Sequence, residues 1–240
     1  MPELRLYDTH SHILPGIDDG CGTVGESLGV LNECRRQGIG YIAATPHYYS
    51  RESVAEFLDK RSAAYEELRA AMDPNENWPL ICLGAEVSYH AGLIYEERLR
   101  DLCYQGTSCL LLEMPFGVWT PNMLRDVEKL MPLHGITPVI AHFERYMDRQ
   151  NSSMIERLLE LELPLQFNAG FILDCRPAFK VRRMLRSGQI SFLGSDCHNL
   201  DLRPQNLGVA ADRILSWGMG EELAEICSNS AFLFRPDPRR

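Results

Sequence analysis

The stretch Leu4-Arg5-Leu6-Tyr7-Asp8-Thr9-His10-Ser11-His12, continued by Ile13-Leu14-Pro15-Gly16-Ile17-Asp18-Asp19-Gly20, decides how the rest of the chain reads. It opens with a strand-like run over about 4–8 and ends with two imidazoles two residues apart. On a strand, positions i and i+2 share a face, so His10 and His12 can converge on one cation. A lone His-x-His pair reads equally well as two partly buried histidines. The acidic turn Asp18-Asp19-Gly20 favours ligands, because carboxylate oxygens suit hard divalent cations.

The same design recurs outward from this stretch. Ile42-Ala43-Ala44-Thr45-Pro46 leads to His47, and Leu80-Ile81-Cys82-Leu83-Gly84-Ala85 leads to Glu86. Cys109-Leu110-Leu111-Leu112 leads to Glu113, Pro138-Val139-Ile140-Ala141 to His142, and Ile190-Ser191-Phe192-Leu193-Gly194-Ser195 to Asp196-Cys197-His198. A carboxylate closing a buried apolar strand is costly unless it is paired or binds metal. Any one of these residues alone reads as a strand-end polar group facing solvent. Six strand ends each delivering a His, Asp or Glu are hard to obtain by chance, and a parallel barrel gathers all such ends at one face.

Strand patterns fall at about 4–8, 40–45, 80–87, 108–113, 136–141, 164–168 and 190–194. Helical patterns lie between them at about 24–37, 52–72, 93–104, 120–134, 151–162, 176–187 and 205–217. Gly38, Gly106, Gly135 and Gly188 stand where helices should stop. Repeated β-then-α predicts a parallel sheet with right-handed crossovers, and seven repeats favour a closed or nearly closed α/β barrel. No linker, repeat or low-complexity segment divides the chain, so residues 1–240 are expected to form one domain, with a frayed tail over 235–240.

Composition narrows the function. A net charge of −9 argues against nucleic acid as partner, because phosphate backbones are bound by clustered Lys and Arg, and the same sign suits a protein that gathers divalent cations. Eight cysteines with no CxxC pair read as reduced thiols. The chain opens without a basic-plus-apolar leader, and no apolar stretch approaches the ~20 residues needed to span a bilayer. A cytoplasmic protein without a membrane anchor is the expectation.

Arg145 follows His142 by three residues and Arg203 stands at the start of a helical pattern; both lie near the inferred metal face, and a guanidinium fork matches phosphate oxygens. Cys197 and Arg203 form a Cys-x5-Arg spacing, the mark of thiolate phosphatases, but about one such match is expected by chance among eight cysteines and many arginines. The intervening His-Asn-Leu-Asp-Leu has no glycine to turn amides inward, and Asp201 would repel phosphate, so the thiolate reading is rejected. His134, before a helix-ending glycine, reads as a helix C-terminal cap, and His90 as a residue behind the ligands.

These motifs, in this order, resemble the polymerase-and-histidinol-phosphatase (PHP) superfamily across nearly the whole chain. The likeness is greatest to the bacterial manganese-dependent tyrosine phosphatases of capsular and exopolysaccharide operons. It is carried by the string from His10 to Gly20, Thr45-Pro46-His47, Gly84-Ala85-Glu86, Leu112-Glu113, Ala141-His142-Phe143-Glu144-Arg145-Tyr146 and Ser195-Asp196-Cys197-His198-Asn199. The resemblance implies a distorted (β/α)7 TIM-like barrel holding three divalent cations, with manganese expected and iron or zinc as the other candidates. It implies the ligands His10, His12, Asp19, His47, Glu86, Glu113, His142, Asp196 and His198, with Glu113 bridging two ions. Asp19 is preferred to Asp18 from the family's spacing.

Arg145 and Arg203 match the family's phosphate-binding arginines, and a metal ion or a ligand such as Asp196 or His198 is the candidate to assist the leaving tyrosinate. The implied reaction is hydrolysis of a phosphotyrosine monoester by water activated between cations. The implied substrate is the tyrosine-rich tail of a bacterial tyrosine autokinase. A small-molecule phosphatase of the histidinol-phosphate type and a non-catalytic metal-binding module are the rival expectations.

Overall fold

The protein is described by a computed structural model over residues 5–174 and 178–234; the expected strand start at 4, helix start at 176 and tail over 235–240 lie outside the described residues. Helices begin where the chain supplies caps. Thr23 accepts the amide of Glu26 and opens α1 (Val24–Arg36), and a reciprocal Ser53–Glu56 capping box opens α2 (Val54–Ala71). Thr120 and Pro121 start α3 (Pro121–His134), which stops at Gly135 with φ of 63°. The remaining helices are α4 (Glu144–Met147), α5 (Ser152–Leu159), α6 (Ala169–Asp174), α7 (Phe179–Arg186), α8 (Leu207–Ser216) and α9 (Gly220–Leu233).

The strands are β1 (Leu6–Ser11), β2 (Ile39–Ala44), β3 (His47–Tyr48), β4 (Leu80–Leu83), β5 (Glu86–Ser88), β6 (Cys109–Glu113), β7 (Thr137–Ile140), β8 (Gln166–Asn168) and β9 (Phe192–Gly194). Every pairing is parallel. The mixed α/β class is as expected, but the strands fall into three sheets, β1-β2-β4, β3-β5-β6-β7 and β8-β9, and no single sheet closes on itself. Parallel bridges join Ser11 to Cys197 and Ile140 to Leu165, between sheets.

Two expected strands are each interrupted. The run 80–87 breaks at Gly84-Ala85, where a Cβ on Gly84 would lie 3.2 Å from Thr45 Cγ2 and 3.3 Å from Tyr104 Cδ1. The run 40–45 ends at Ala44, and β3 resumes after Thr45-Pro46. The expected helix over 93–104 is corrected: it is two 3-10 turns, Leu93–Tyr95 and Leu99–Leu102. An i, i+3 apolar spacing serves a 3-10 turn as well as an α-helix, and burial of Leu93, Leu99 and Leu102 is met by both. Helices α4, α6 and α9 lie outside the expected helical ranges.

The core has two parts. The larger packs helices against strands, as with Leu110 and Leu112 of β6. The alternate residues Cys109 and Leu111 join Ala43, Cys82, Tyr104, Val139, Phe192 and Leu233 in a second cluster. Strands buried on both faces explain the continuous apolar runs of the sequence. Parallel pairing leaves the C-terminal ends of all strands on one side, and polar side chains collect there.

Candidate metal centre

Glu86 opens β5 with 1% of its surface exposed, and four imidazoles surround it. Its Oε2 lies 3.2 Å from His10 Nε2, 3.3 Å from His12 Nε2 and 3.2 Å from His47 Nδ1, while Oε1 lies 2.8 Å from His142 Nε2. His10 and His12 bring their Nε2 atoms to 3.1 Å. Asp196 completes the centre: Oδ1 is 3.6 Å from His10 Nε2, 3.5 Å from His12 Nε2 and 3.7 Å from His198 Nδ1. Glu113 Oε1 is 3.5 Å from His142 Nε2.

The aspartates of the acidic turn divide the work. Asp19 is 65% exposed and its Oδ1 lies 3.5 Å from both His47 Nε2 and His198 Nε2. Asp18 Oδ2 is 2.7 Å from His12 Nδ1 and accepts the amide of His47 at 2.9 Å. All nine expected ligand residues therefore meet in one place. Three groups have ligand atoms within 4.8 Å of one another: His12, Asp19, His47 and His198; His10, His12 and Glu86; and His47, Glu86 and Glu113. Glu86 belongs to two of them and Glu113 to one.

The donor set fits divalent cations. His10 Nδ1 faces Gln166 Oε1 at 3.2 Å, His12 Nδ1 faces Asp18, and His198 Nδ1 faces the Asp196 carbonyl at 3.0 Å. Donation from each Nδ1 leaves an Nε2 lone pair turned inward, which is the way imidazoles are held for a metal. The buried Nδ1 atoms of His47 and His142 have no hydrogen-bond partner. Outward hydrogen bonds thus fix the rings of His10, His12 and His198, while His47 and His142 are held without one.

Burial works against the charge on His12, Glu86, His142 and Asp196, yet the neighbouring carboxylates and imidazoles outweigh it. Hydrogen bonds donated to Glu113 and Glu86 lift His142 to about 9, and contacts with Asp18, Asp196 and Glu86 hold His12 well up. The charges of His10 and His12 hold Asp196 down, and His10 with His12 and His142 does the same for Glu86. His198 goes the other way: burial, then His12 and Arg203, press it down to about 4.

Local backbone is bent to serve the site. His142 and Asp196, each just past a strand end, have φ of 31° and 54°, a region L-residues seldom adopt. Gly194 and Gly20 allow close approach: a Cβ on Gly194 would be 2.5 Å from His10 Cβ, and one on Gly20 would be 2.2 Å from the His12 carbonyl oxygen.

Both expected arginines reach the centre. Arg145 Nη2 and Arg203 Nη2 each lie 2.6 Å from Asp196 Oδ2, and Arg203 Nη1 is 2.7 Å from His198 Nε2. They are 35% and 37% exposed, so each lines the mouth of the site. Two aromatic rings border it: Tyr49 stacks on His47 at 5.2 Å, and the exposed Phe116 stacks on His142 at 5.9 Å. Cys197 is fully buried, and burial beside Asp8 and Cys34 holds its thiol well above the usual range, which removes the thiolate alternative. His134 pairs through Nε2 with the Ile94 carbonyl at 2.9 Å, and His90 Nδ1 accepts the Gly92 amide; neither joins the clusters.

Several supporting residues escaped the sequence reading. Gln166 Oε1 accepts the His142 amide at 2.7 Å, and its Nε2 donates to Asn168, whose Nδ2 donates to Asp196 Oδ2 at 2.8 Å. Strand 164–168 was the one strand end left without a ligand, and its alternating Gln166 and Asn168 were the available signal. Asp8, wholly buried, accepts from the amide and Oγ of Ser195 and from Gln205 Nε2, at 2.8, 2.6 and 2.7 Å. It stands two residues before His10, in the same alternation.

The model of the capsular polysaccharide synthesis family CpsB/CapC matches residues 6–233. Tyrosine-protein phosphatase YwqE of Bacillus subtilis is 30% identical over 248 residues, 98% of this chain and 96% of its own. Tyrosine-protein phosphatase CpsB of Streptococcus agalactiae serotype III is 28% identical over 231 residues, covering 91% and 93%. Among solved structures, one described for YwqE of Bacillus subtilis and CpsB of Streptococcus pneumoniae as unique metal-dependent tyrosine phosphatases superimposes with a TM-score of 0.79 at 26% identity, over 96% of this chain and 94% of that one. A mutant organophosphorus hydrolase from Deinococcus radiodurans, at TM-score 0.53 and 14% identity over 97% and 93%, shares the fold alone. With its motifs, its centre and these likenesses in agreement, the chain belongs to the CpsB/CapC family of capsular polysaccharide synthesis.

Proposed function

We propose that this protein is a metal-dependent protein-tyrosine phosphatase that acts on the phosphorylated tyrosine tail of a bacterial tyrosine kinase in capsule or exopolysaccharide control. The observation that carries the reading is the convergence of His10, His12, His47, His142 and His198 with Asp19, Glu86, Glu113 and Asp196, with Arg145 and Arg203 at the mouth. These nine residues would hold three divalent cations, manganese first and iron or zinc otherwise. The carrier would be a distorted barrel of seven strand positions, with β2/β3 and β4/β5 each one interrupted strand, making residues 1–240 one domain. The inter-sheet bridges at Ser11–Cys197 and Ile140–Leu165 support that closure. No helix among the described residues is long and apolar enough to cross a membrane, and the proposed place of action is the cytoplasm.

Cations bound there would lower the pKa of a water from 15.7 toward about 7 and shield phosphate oxygens. The chain's own groups supply the rest. Arg145 and Arg203 offer outward N–H groups to the transferring phosphoryl while Asp196 Oδ2 fixes both guanidinium planes. His198, pressed down to about 4 by burial and then by His12 and Arg203, carries a lone pair at neutral pH that it would offer to a cation. Phe116 and Tyr49 give an aryl leaving group faces to pack on, which favours phosphotyrosine over an aliphatic phosphate.

The test strips the protein with chelator, restores manganese and compares a phosphotyrosine peptide with histidinol phosphate. Manganese-dependent release that prefers the peptide is expected; a preference for histidinol phosphate would overturn the substrate while keeping the centre. His142→Ala and Asp196→Ala should each lower kcat by at least about a thousandfold with circular dichroism unchanged, as for loss of a group stabilising transition-state charge. Full turnover in either variant would refute the ligand assignment.

A further inference from the structure

Helix α7 presents Phe179, Arg182, Arg183 and Arg186 at positions i, i+3, i+4 and i+7, a single stripe along one face. Its other face, Val181, Met184 and Leu185, is buried in the core. Phe179 is 68% exposed, and the four stripe residues line a shallow depression of about 370 Å³. The guanidinium groups make no hydrogen bond or ion pair with any described residue, and the buried Nε of Arg182 has no partner. Four other surface arginines are engaged: Arg35 with Glu76, Arg36 with Glu33, Arg69 with Glu66 and Arg98 with Asp101. Three unengaged arginines in a row stand out in a chain of net charge −9.

Lys180, at the head of α7, lies 3.8 Å from Asp148, one residue past the short helix that carries Arg145. The head of α7 is therefore close to the element that supplies one of the site's arginines, and the arginines of the stripe span about 6 Å of helix axis between positions 182 and 186. Guanidinium forks grip phosphate oxygens in pairs, and an exposed ring offers a face to a second ring. We infer that this stripe is a docking subsite for a second phosphotyrosine on the same substrate chain, with the phosphate on Arg182, Arg183 and Arg186 and the ring on Phe179. A single phosphate held in the centre and another held on α7 would tether a multiply phosphorylated tail at two points. This inference rests on the tyrosine phosphatase reading of the centre.

The experiment compares a singly and a doubly phosphorylated tyrosine peptide, the latter with spacers of several lengths, on the manganese-loaded enzyme and on Arg183→Glu/Arg186→Glu. At its best spacer the doubly phosphorylated peptide should have a KM about tenfold lower in the parent, equivalent to about 1.4 kcal/mol. That advantage should fade as salt rises. The double variant should lose it while keeping kcat and the KM for the singly phosphorylated peptide. Equal KM values for both peptides in the parent, or an advantage that survives the substitutions, would overturn the subsite. If the parent hydrolyses neither peptide, the phosphatase reading fails by itself. Fluorescence anisotropy of the labelled doubly phosphorylated peptide then still judges the stripe, with weaker binding to the variant expected and equal binding overturning it. Parent-only binding to phosphatidylglycerol vesicles, without preference for the second phosphate, would assign the stripe to a membrane surface and overturn it as well.

Discussion

At the residue scale the centre depends on how each imidazole is aimed. Gln166 holds both the ring of His10 and the backbone amide of His142. Gln166→Ala should lower manganese affinity about 10- to 100-fold, the usual cost of losing an outer partner, with little change in secondary structure. A manganese titration read by tryptophan fluorescence or calorimetry checks it, and unchanged affinity would remove Gln166 from the support. Asp18 is a second case. Burial raises its carboxyl, but the hydrogen bond and charge of His12, with the amides of His47 and Gly20, outweigh it and hold it at about 2. A carboxylate depressed on folding gives stability that is present above its unfolded value of 3.8 and is lost as pH falls toward 2. The metal-free protein should lose about 2 kcal/mol across that window through this group, and Asp18→Asn should flatten that part of the profile. Parallel melting curves for the two proteins between pH 5 and pH 2.5 would expose an error in sign.

At the scale of elements, close packing of β1 against its neighbours decides the geometry. Gly194 of β9 lets the strand lie on His10, where a Cβ would stand 2.5 Å from His10 Cβ and 2.9 Å from Gln166 Nε2. The His10 contact is at the Cβ, next to the backbone and not at the far end of a flexible chain, so strand or ligand must shift. Gly194→Ala should destabilise by about 1–3 kcal/mol, the usual cost of overpacking, and weaken manganese binding along with it. A variant with parent stability and parent affinity would show that β9 can move aside freely. A missed reading belongs to this scale too: the apolar spacing over 93–104 fits a 3-10 turn as well as a helix, so the pattern alone does not choose between them.

For the molecule as a whole, the centre gathers residues from β1, β3, β5, β6 and the segments after β7 and β9, so it links most of the strands. Cations bound to the folded form alone should stabilise all of it together. At a thousand times the dissociation constant the gain is about 4 kcal/mol, or about 10 °C in melting temperature for a domain of this size. Calorimetry with chelator and then with restored manganese measures it; a melting temperature indifferent to metal would contradict the linkage.

The alternation of apolar runs with amphipathic ones, the capping residues and the strand-end His, Asp and Glu were local facts, and the sequence by itself determined from them an α/β chain with a polar C-terminal face. Asp19 over Asp18, and the inward sense of Arg145 and Arg203, came from a family pattern rather than from periodicity. Tertiary structure alone decided the rest. Gln166, Asn168 and Asp8 matter because of what lies across from them, 156 residues away for Gln166 and His10 and 187 for Asp8 and Ser195. The break at Gly84 answers to Tyr104 and Thr45, which no local pattern places nearby. Propensity and periodicity act over a few residues, whereas a buried carboxylate acquires its role from partners that only the folded chain brings within hydrogen-bond reach.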